Sequence, residues 1–327
     1  MFDVLNPMPA DPILSISVAA ASDPRTDKID LGVGIYKDEA GHTPVMRAVK
    51  AAEFAYAGLE DTKKYVSTTG LEAYNSALLS LILGDMELSH FATAQSAGGS
   101  GALRLGAELI RRASDEAQIY VPTPTWGNHT PLLGSAGIEM KQYPYYDTDA
   151  LDVDFDAMRN FLNSTPKAGD VIILHGCCHN PTGADLTPAQ WDEVSDILTA
   201  RGLIAFVDLA YMGLGDGLEE DCYGIRKLAA SQDEMLIAAS CSKNFGLYRD
   251  RTGLIAVKTK DVDQAKVAKS HLGLIMRRMI SMPPNHGAAV VAHILNTPEL
   301  REDWIAELNE MRERMNGRSE ERRVGKE

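Results

Sequence analysis

The 327-residue sequence has no apolar stretch long enough to span a bilayer. Leu78–Leu83, six residues with one serine, is among the longest runs, and a transmembrane helix needs roughly 20. The amino terminus, MFDVLNPMPADPIL, lacks both a basic start and a continuous apolar segment, so no secretory signal is expected. Cysteine is scarce. Of the four, Cys177 and Cys178 are adjacent, which suits reduced thiols in a cytoplasmic protein better than a disulfide framework. Basic residues are too few to balance the acids: 32 Lys and Arg against 46 Asp and Glu leave a net charge of −14. That balance repels a phosphate backbone and argues against general nucleic-acid binding. Internal repeats and low-complexity linkers are also missing. With 45% hydrophobic and 24% charged residues, the composition is that of an ordinary globular chain.

Strand-like runs alternate with helical patterns, as in a mainly parallel sheet covered on both faces. Strands are expected at Ala117–Val121 (closed by Pro122 and Pro124), Ile138–Tyr143, Val171–Leu174, Leu203–Val207, Leu236–Ala239 and Leu254–Val257. Helices are expected at Leu71–Leu83, Ala102–Arg112, Pro284–Leu295 and Trp304–Met315. Thr187-Pro188-Ala189-Gln190 reads as a capping box with proline in the first turn. The turn-rich region before about Val45 is expected to belong to another subdomain. After Gly317 comes a charge block that is expected to be a frayed, solvated end.

The chemistry concentrates in Ser240-Cys241-Ser242-Lys243-Asn244-Phe245-Gly246, followed by Arg251. This segment leaves a strand at its carboxyl end, where α/β sheets place ligands. Two hydroxyls beside a lysine, with an arginine eight residues on, suit a phosphate held next to an amine. A neighbouring cation lowers the lysine pKa and favours the nucleophilic neutral form. A lone SxSK is usually just a surface loop, so the other segments matter. Gly98-Gly99-Ser100-Gly101 reads as a glycine turn that lets backbone N–H groups approach an anion at a helix start. By itself it could equally be a plain tight turn. Asp208 ends a buried strand, three residues before Tyr211, and is either a helix cap or a buried partner for a cation. His175-Gly176-Cys177-Cys178-His179 invites a zinc reading, but the usual gap between ligand pairs is missing and no metal is expected. Asn180 on the NPTG turn reads better as a side-chain donor. Patterns of the GxGxxG or P-loop type are absent, which counts against a nucleotide-binding protein.

Six stretches carry a resemblance: LGVGIYKDEAG (31–41), GGSGALR (98–104), TWGNH (125–129), HGCCHNPTG (175–183), VDLAYMGL (207–214) and SCSKNFGLYRDR (240–251). In this order the chain resembles the class I, fold type I aminotransferases that use pyridoxal 5′-phosphate (PLP), specifically the bacterial aspartate and aromatic-amino-acid group. The likeness extends to about Asn316. It implies an α/β fold with a large, mainly parallel sheet domain flanked by helices and an incomplete small domain.

The resemblance implies roles residue by residue. Lys243 resembles the lysine that bonds the cofactor and shuttles the proton at the substrate Cα. Asp208 matches the carboxylate that keeps the pyridine nitrogen protonated. Tyr211 and Asn180 match donors to the phenolic oxygen, and Trp126 the ring stacked on the pyridine face. Gly99, Ser100, Ser240 and Arg251, with Ser242 as a further member, match the phosphate cradle. His129 and His175 resemble supports behind Asp208, although satisfied core histidines would read the same way. Tyr65 resembles the tyrosine that reaches the neighbouring subunit's phosphate. Arg277, favoured over Arg278 by the following SxPP turn, resembles the arginine that pairs with the substrate side-chain carboxylate across a homodimer interface, with Ser281 in that network. Gly34 matches the glycine whose backbone meets the substrate carboxylate. Met212 and Leu209 depart from the pattern without touching the core chemistry.

The implied reaction moves an amino group from aspartate or an aromatic amino acid to a 2-oxo acid, 2-oxoglutarate above all, in a ping-pong cycle. A PLP-dependent lyase or decarboxylase of the same fold, or an inactive truncation product, is the alternative. The implied domains are 1–44, an arm and part of the small domain; 45–310, the cofactor domain; and 311–317, the start of a linking helix. Residues 318–327, RSEERRVGKE, resemble the conceptual translation of a sequencing adapter, so the natural chain is expected to continue differently beyond about Asn316. The family's arginine for the substrate α-carboxylate has no match here. The 327-residue chain is therefore expected to be poorly soluble or nearly inactive.

Overall fold

The computed structural model describes residues 1–9, 12–25, 27–28 and 32–324, the side chains of 12–14 and 318–324 excepted. Leu31, which opens the 31–41 motif, and residues 325–327 of the charge block lie outside the described residues. The chain divides into two compact units, Met1–Pro44 and Val45–Glu327.

The first unit contains a 3-10 turn at Phe2–Val4 and helix α1 (Pro12–Ser22). Its tail end is a tight turn in which the Asp38 N–H donates to the His42 carbonyl at 2.8 Å and Gly41 supplies φ +80°. Thr43 Oγ1 closes the same segment by donating to the Tyr36 carbonyl.

The second unit holds strands β1 (Phe91–Ala97), β2 (Ile119–Thr123), β3 (Met140–Pro144), β4 (Tyr146–Asp147), β5 (Asp152–Val153), β6 (Val171–His175), β7 (Ile204–Leu209), β8 (Met235–Ser240) and β9 (Thr252–Lys258). Its helices are α2 (Arg47–Leu59), α3 (Glu72–Leu83), α4 (Gly98–Ala113), α5 (His129–Gly134), α6 (Phe155–Ser164), α7 (Pro188–Arg201), α8 (Tyr223–Ser231), α9 (Val262–Met279), α10 (Asn285–Asn296) and α11 (Pro298–Val324). Seven strands form one sheet in the order β1-β9-β8-β7-β6-β2-β3, and β4 pairs with β5 separately. The pairs β8–β7, β7–β6, β6–β2 and β2–β3 are parallel, whereas β9 runs antiparallel to both of its neighbours.

Both faces of the sheet are buried, which explains why its central strands are continuous apolar runs rather than alternating ones. Val171, Ile173, Phe206, Leu236, Ala238 and Ile255 point into a core with Leu103 and Leu105 of α4 and Leu272 of α9. The alternate residues Ile172, Leu174, Ala205, Val207, Ile237 and Ala239 are also buried. The capping box starts α7 as expected: Gln190 N–H donates to Thr187 Oγ1, and Gln190 Oε1 accepts from Thr187 N–H. Gly202 ends that helix at φ +64°.

Three local expectations need correction. Pro122 does not close β2 but lies inside it, opposite Tyr143. The β2–β6 pairing spans only Ile119 and Tyr120, so no ladder bond to β6 is required at the proline. The glycine run is not a turn ahead of a helix; Gly98 itself begins α4. Nor does helix end at Gly317, since α11 continues through the start of the charge block to Val324. Glycine weakens a helix by about 1 kcal/mol but does not by itself stop one.

Gly106 marks a close approach of α4 to the sheet. A Cβ there would lie 2.8 Å from Phe206 Cε1 and closer still to Cζ. Gly106→Ala gains about 1 kcal/mol of helix propensity but overpacks a fully buried ring, which costs roughly 1–3 kcal/mol. The expected result is a net loss of up to about 2 kcal/mol in denaturant unfolding. A stabilised variant would contradict the packing argument.

Candidate active site

The sheet topology gathers the polar residues at one end. Parallel strands β2, β6, β7 and β8 all deliver their carboxyl ends there, as does β1, which leads directly into α4. Because β9 is antiparallel, its beginning lies at that same end: Ser240 pairs with Gly253, and Ala97 with Thr252. Arg251, immediately before β9, is thereby brought beside the start of α4, although they are far apart in sequence. A cleft of about 220 Å³ opens at this point. It is lined by Gly99, Ser100, Trp126, His175, Asn180, Asp208, Tyr211, Ser240, Ser242, Lys243 and Arg251, all of which the sequence singled out. Leu103 and Ala210 line it too and carried no polar signal to mark them in advance, while Cys177, weighed above only as a metal ligand, lines it as well.

At one side of the cleft the groups suit a phosphate. Arg251 holds φ +54°, a backbone region that non-glycine residues seldom occupy. Its guanidinium lies over Gly98, where a Cβ would come within 2.8 Å of Arg251 Cζ. Gly98, at φ +70°, leaves room for that cation at the amino terminus of a 16-residue helix, where unpaired N–H groups and the helix dipole already favour an anion. Gly99 leaves similar room beside Ser240, whose Oγ accepts from the Ser242 N–H at 3.2 Å.

At the other side is a buried carboxylate with a relay of rings behind it. His129 Nε2 donates to Asp208 Oδ2 at 2.9 Å. Thr125 Oγ1 donates to His129 Nδ1 at 2.7 Å and accepts from His175 Nε2 at 3.3 Å. His175 Nδ1 in turn accepts from the Asn180 N–H at 3.4 Å. These tautomers follow from the partners. The two histidines thus lie behind Asp208, one in direct contact with it and the other linked through Thr125. Thr125 is the connecting residue that sequence reasoning missed; it stood inside the TWGNH motif without a role. Trp126 meets His129 edge to face at 5.4 Å.

Between the two sides, Lys243 Nζ lies 4.9 Å above the centre of the Tyr211 ring. Asn180 Nδ2 reaches the Tyr211 hydroxyl at 3.5 Å. Burial lowers the Lys243 pKa; the Asp208 charge opposes that shift and the Arg251 charge adds to it. Burial raises the Tyr211 pKa, against the Asn180 hydrogen bond, which lowers it. Among the described residues, no group of three His, Cys, Asp or Glu side chains could hold a metal ion, and no helix is long and apolar enough to cross a membrane.

Tyr65, Arg277 and Ser281 are not among the residues that line this cleft. Tyr65 is 88% exposed, and Arg277 is an exposed residue that donates to Ser281 Oγ at 2.6 Å. Arg278, its neighbour, is exposed as well. Gly34 belongs to the Met1–Pro44 unit.

Further back, His179 stacks on Tyr145 at 4.2 Å and packs against His175 at 4.0 Å. Burial, and after it the nearby His129, push the His179 pKa down to about 4. His175 is pushed well down by burial and by the same neighbours. The unfolded chain therefore binds more protons than the folded one between pH 6.5 and about 4, so stability falls as pH falls through that window. For His179 alone the loss is on the order of 3 kcal/mol. Denaturant unfolding at pH 7 and pH 4.5 should show a smaller acid loss in His179→Phe, which keeps a ring but cannot protonate. An identical loss in both proteins would refute the assignment.

The family model "Aminotransferase class I and II" matches residues 26–324. The aromatic-amino-acid aminotransferase of Paracoccus denitrificans is 46% identical over 316 residues, covering 96% of this chain and 80% of that protein. The aspartate aminotransferase of Haemophilus influenzae is 42% identical over 319 residues, with 96% and 80% covered. Among solved structures, an aromatic amino acid aminotransferase with 3-indolebutyric acid superposes with a TM-score of 0.94 at 46% identity, covering 96% of this chain and 80% of that one. The aromatic-amino-acid aminotransferase of Burkholderia pseudomallei, covalently bound to pyridoxal phosphate, gives a TM-score of 0.94 at 40% identity, with 97% and 80% covered. With a fold and a sequence that agree over nearly its whole length, the chain belongs to the class I and II aminotransferases.

Proposed function

We propose that this chain is a PLP-dependent aminotransferase of aspartate and aromatic amino acids, using a 2-oxo acid such as 2-oxoglutarate as acceptor and working in the cytoplasm as a homodimer. The observation that carries the reading is the half-buried amine of Lys243, held over Tyr211 between an anion cradle and the carboxylate of Asp208. The cradle fits a phosphate because the Arg251 guanidinium lies beside Gly98 at the amino terminus of α4.

Arg251, Ser240, Ser242, Ser100 and the Gly99 backbone would hold the phosphate of PLP. Asp208, backed by His129 and His175, would hold the proton of its ring nitrogen. Tyr211 and Asn180 would donate to its phenolic oxygen, and Trp126 would cover one ring face. When bound, PLP supplies an electron sink for the bonds at the amino acid's Cα. Lys243 anchors the cofactor and moves the Cα proton; its lowered pKa makes the neutral amine available nearer pH 7 than for a free lysine.

The exposed Tyr65 and Arg277 would serve the neighbouring subunit's site, Tyr65 at the phosphate and Arg277, steadied by Ser281, at a substrate side-chain carboxylate. A carboxylate partner there favours aspartate and glutamate, while the relatives named for aromatic amino acids support those donors too. Gly34 would meet the substrate carboxylate through its backbone. In this reading residues 1–44 are an arm and part of a small domain, 45–310 the cofactor domain, 311–317 the start of a linking helix, and 318–327 a foreign tail. Reading the source gene across Asn316 checks the last assignment.

Adding PLP to the purified chain is expected to give a visible absorption band that aspartate or phenylalanine bleaches, slowly because the family's arginine for the α-carboxylate has no match here, with the amino group recovered on added 2-oxoglutarate. Release of ammonia or carbon dioxide instead would overturn the transfer reaction in favour of a lyase or decarboxylase.

A further inference from the structure

We propose that one face of α11, formed by Trp304, Leu308 and Arg312, positions both Lys243 and Tyr211. This rests on the functional reading above. The three residues recur every four positions and so share one stripe of the helix. Trp304 is fully buried, and its Nε1 donates to the Asn244 carbonyl at 2.7 Å, one residue beyond Lys243. Its ring lies parallel to Phe245, with centroids 4.4 Å apart and planes within 3°. Leu308 and Arg312 hold the other loop. Gly213, two residues after Tyr211, adopts φ +88°, and a Cβ there would meet Leu308 Cδ2 at 2.5 Å. Arg312 Nη1 donates to the Gly213 carbonyl at 3.2 Å, while the Gly213 N–H donates to Asp221 Oδ2 at 2.7 Å.

Two loops that leave different strands, β7 and β8, are thus fastened to one helix, and Lys243 Nζ over the Tyr211 ring is a contact between them. The groups that set the charge around Lys243, namely Asp208 on β7 and Arg251 ahead of β9, are held by the sheet and not by α11. Loosening α11 should therefore move the amine relative to those charges and toward water. Trp304 and Arg312 are positioning residues. Neither lines the cleft.

The test labels Lys243 in the cofactor-free full chain with an amine-reactive acylating reagent across pH, read by mass spectrometry. Trp304→Phe keeps a ring but removes the N–H donor. The labelling midpoint is expected to rise by about 0.5–1 pH unit toward that of a free lysine as the amine is rehydrated. Arg312→Ala should shift it in the same direction and Arg312→Lys should largely restore it. Leu162→Ala, a buried residue of α6, controls for general destabilisation and should leave the midpoint unchanged. The proposal is overturned if Trp304→Phe and Arg312→Ala lower thermal stability as Leu162→Ala does but keep the parent midpoint. Because labelling needs no PLP, a parent chain that failed to take up PLP would refute the proposed function while the positioning test still reads out.

Discussion

Lys243→Ala is expected to abolish the visible band that PLP gives with the parent chain and to reduce transamination by about 10²–10⁴-fold, the range for loss of a positioned general acid–base group. The expectation follows from the surroundings. Lys243 is the amine that lines the cleft; the other cation, Arg251, is a guanidinium that does not deprotonate in proteins. Among the residues that line the cleft, Lys243 alone carries a primary amine, the group that can form an imine with a carbonyl and, once released, carry a proton at the same nitrogen. Phosphate contacts would survive, because Arg251, Ser240 and the start of α4 do not depend on the lysine side chain. PLP should therefore still bind, without the band. Turnover within tenfold of the parent would mean that another group moves the proton.

Asp208→Asn is expected to produce two effects of opposite sign. The substitution preserves shape but removes the negative charge that His129 Nε2 meets at 2.9 Å. Losing a preorganised electrostatic contact of this kind costs about 10²–10³-fold in turnover, roughly 3–4 kcal/mol. The same charge raises the Lys243 pKa against the burial that lowers it. Without it the ammonium is less favoured, so Lys243 should titrate at lower pH and form its bond with PLP more readily near neutrality. Stopped-flow PLP association and steady-state transamination, measured on one preparation, separate the two effects. A variant that loses both cofactor association and turnover would show Asp208 to be mainly a structural support. A variant that keeps both would remove it from the mechanism.

Much of the site could be read along the chain because its parts are local. Ser240, Ser242 and Lys243 share one loop, His175 and Asn180 another, and Asp208 and Tyr211 a third. Each follows an apolar run whose ending is visible in the composition. The capping box at Thr187 is equally local, and it starts α7 where expected. The corrections arise where a local signal competes with a nonlocal one. Pro122 looks like a strand breaker, yet β2 pairs with β6 over only two residues, which leaves the proline's missing N–H harmless. Gly98 looks like a turn residue and does hold φ +70°, yet it also faces the guanidinium of Arg251, 153 positions away, which no local pattern shows.

Apolar periodicity and the order of the motifs were enough to establish the α/β class, the family and the identity of the polar groups, because those properties depend on neighbours within a few residues. The meeting of these groups required the sheet. Antiparallel β9 places Arg251 at the carboxyl ends of the parallel strands, Thr125 links two histidines 46 positions apart, and α11 ties the Lys243 and Tyr211 loops to one helix face. Such contacts join residues far apart in the chain, and their partners are selected by strand order and packing, which no local pattern encodes.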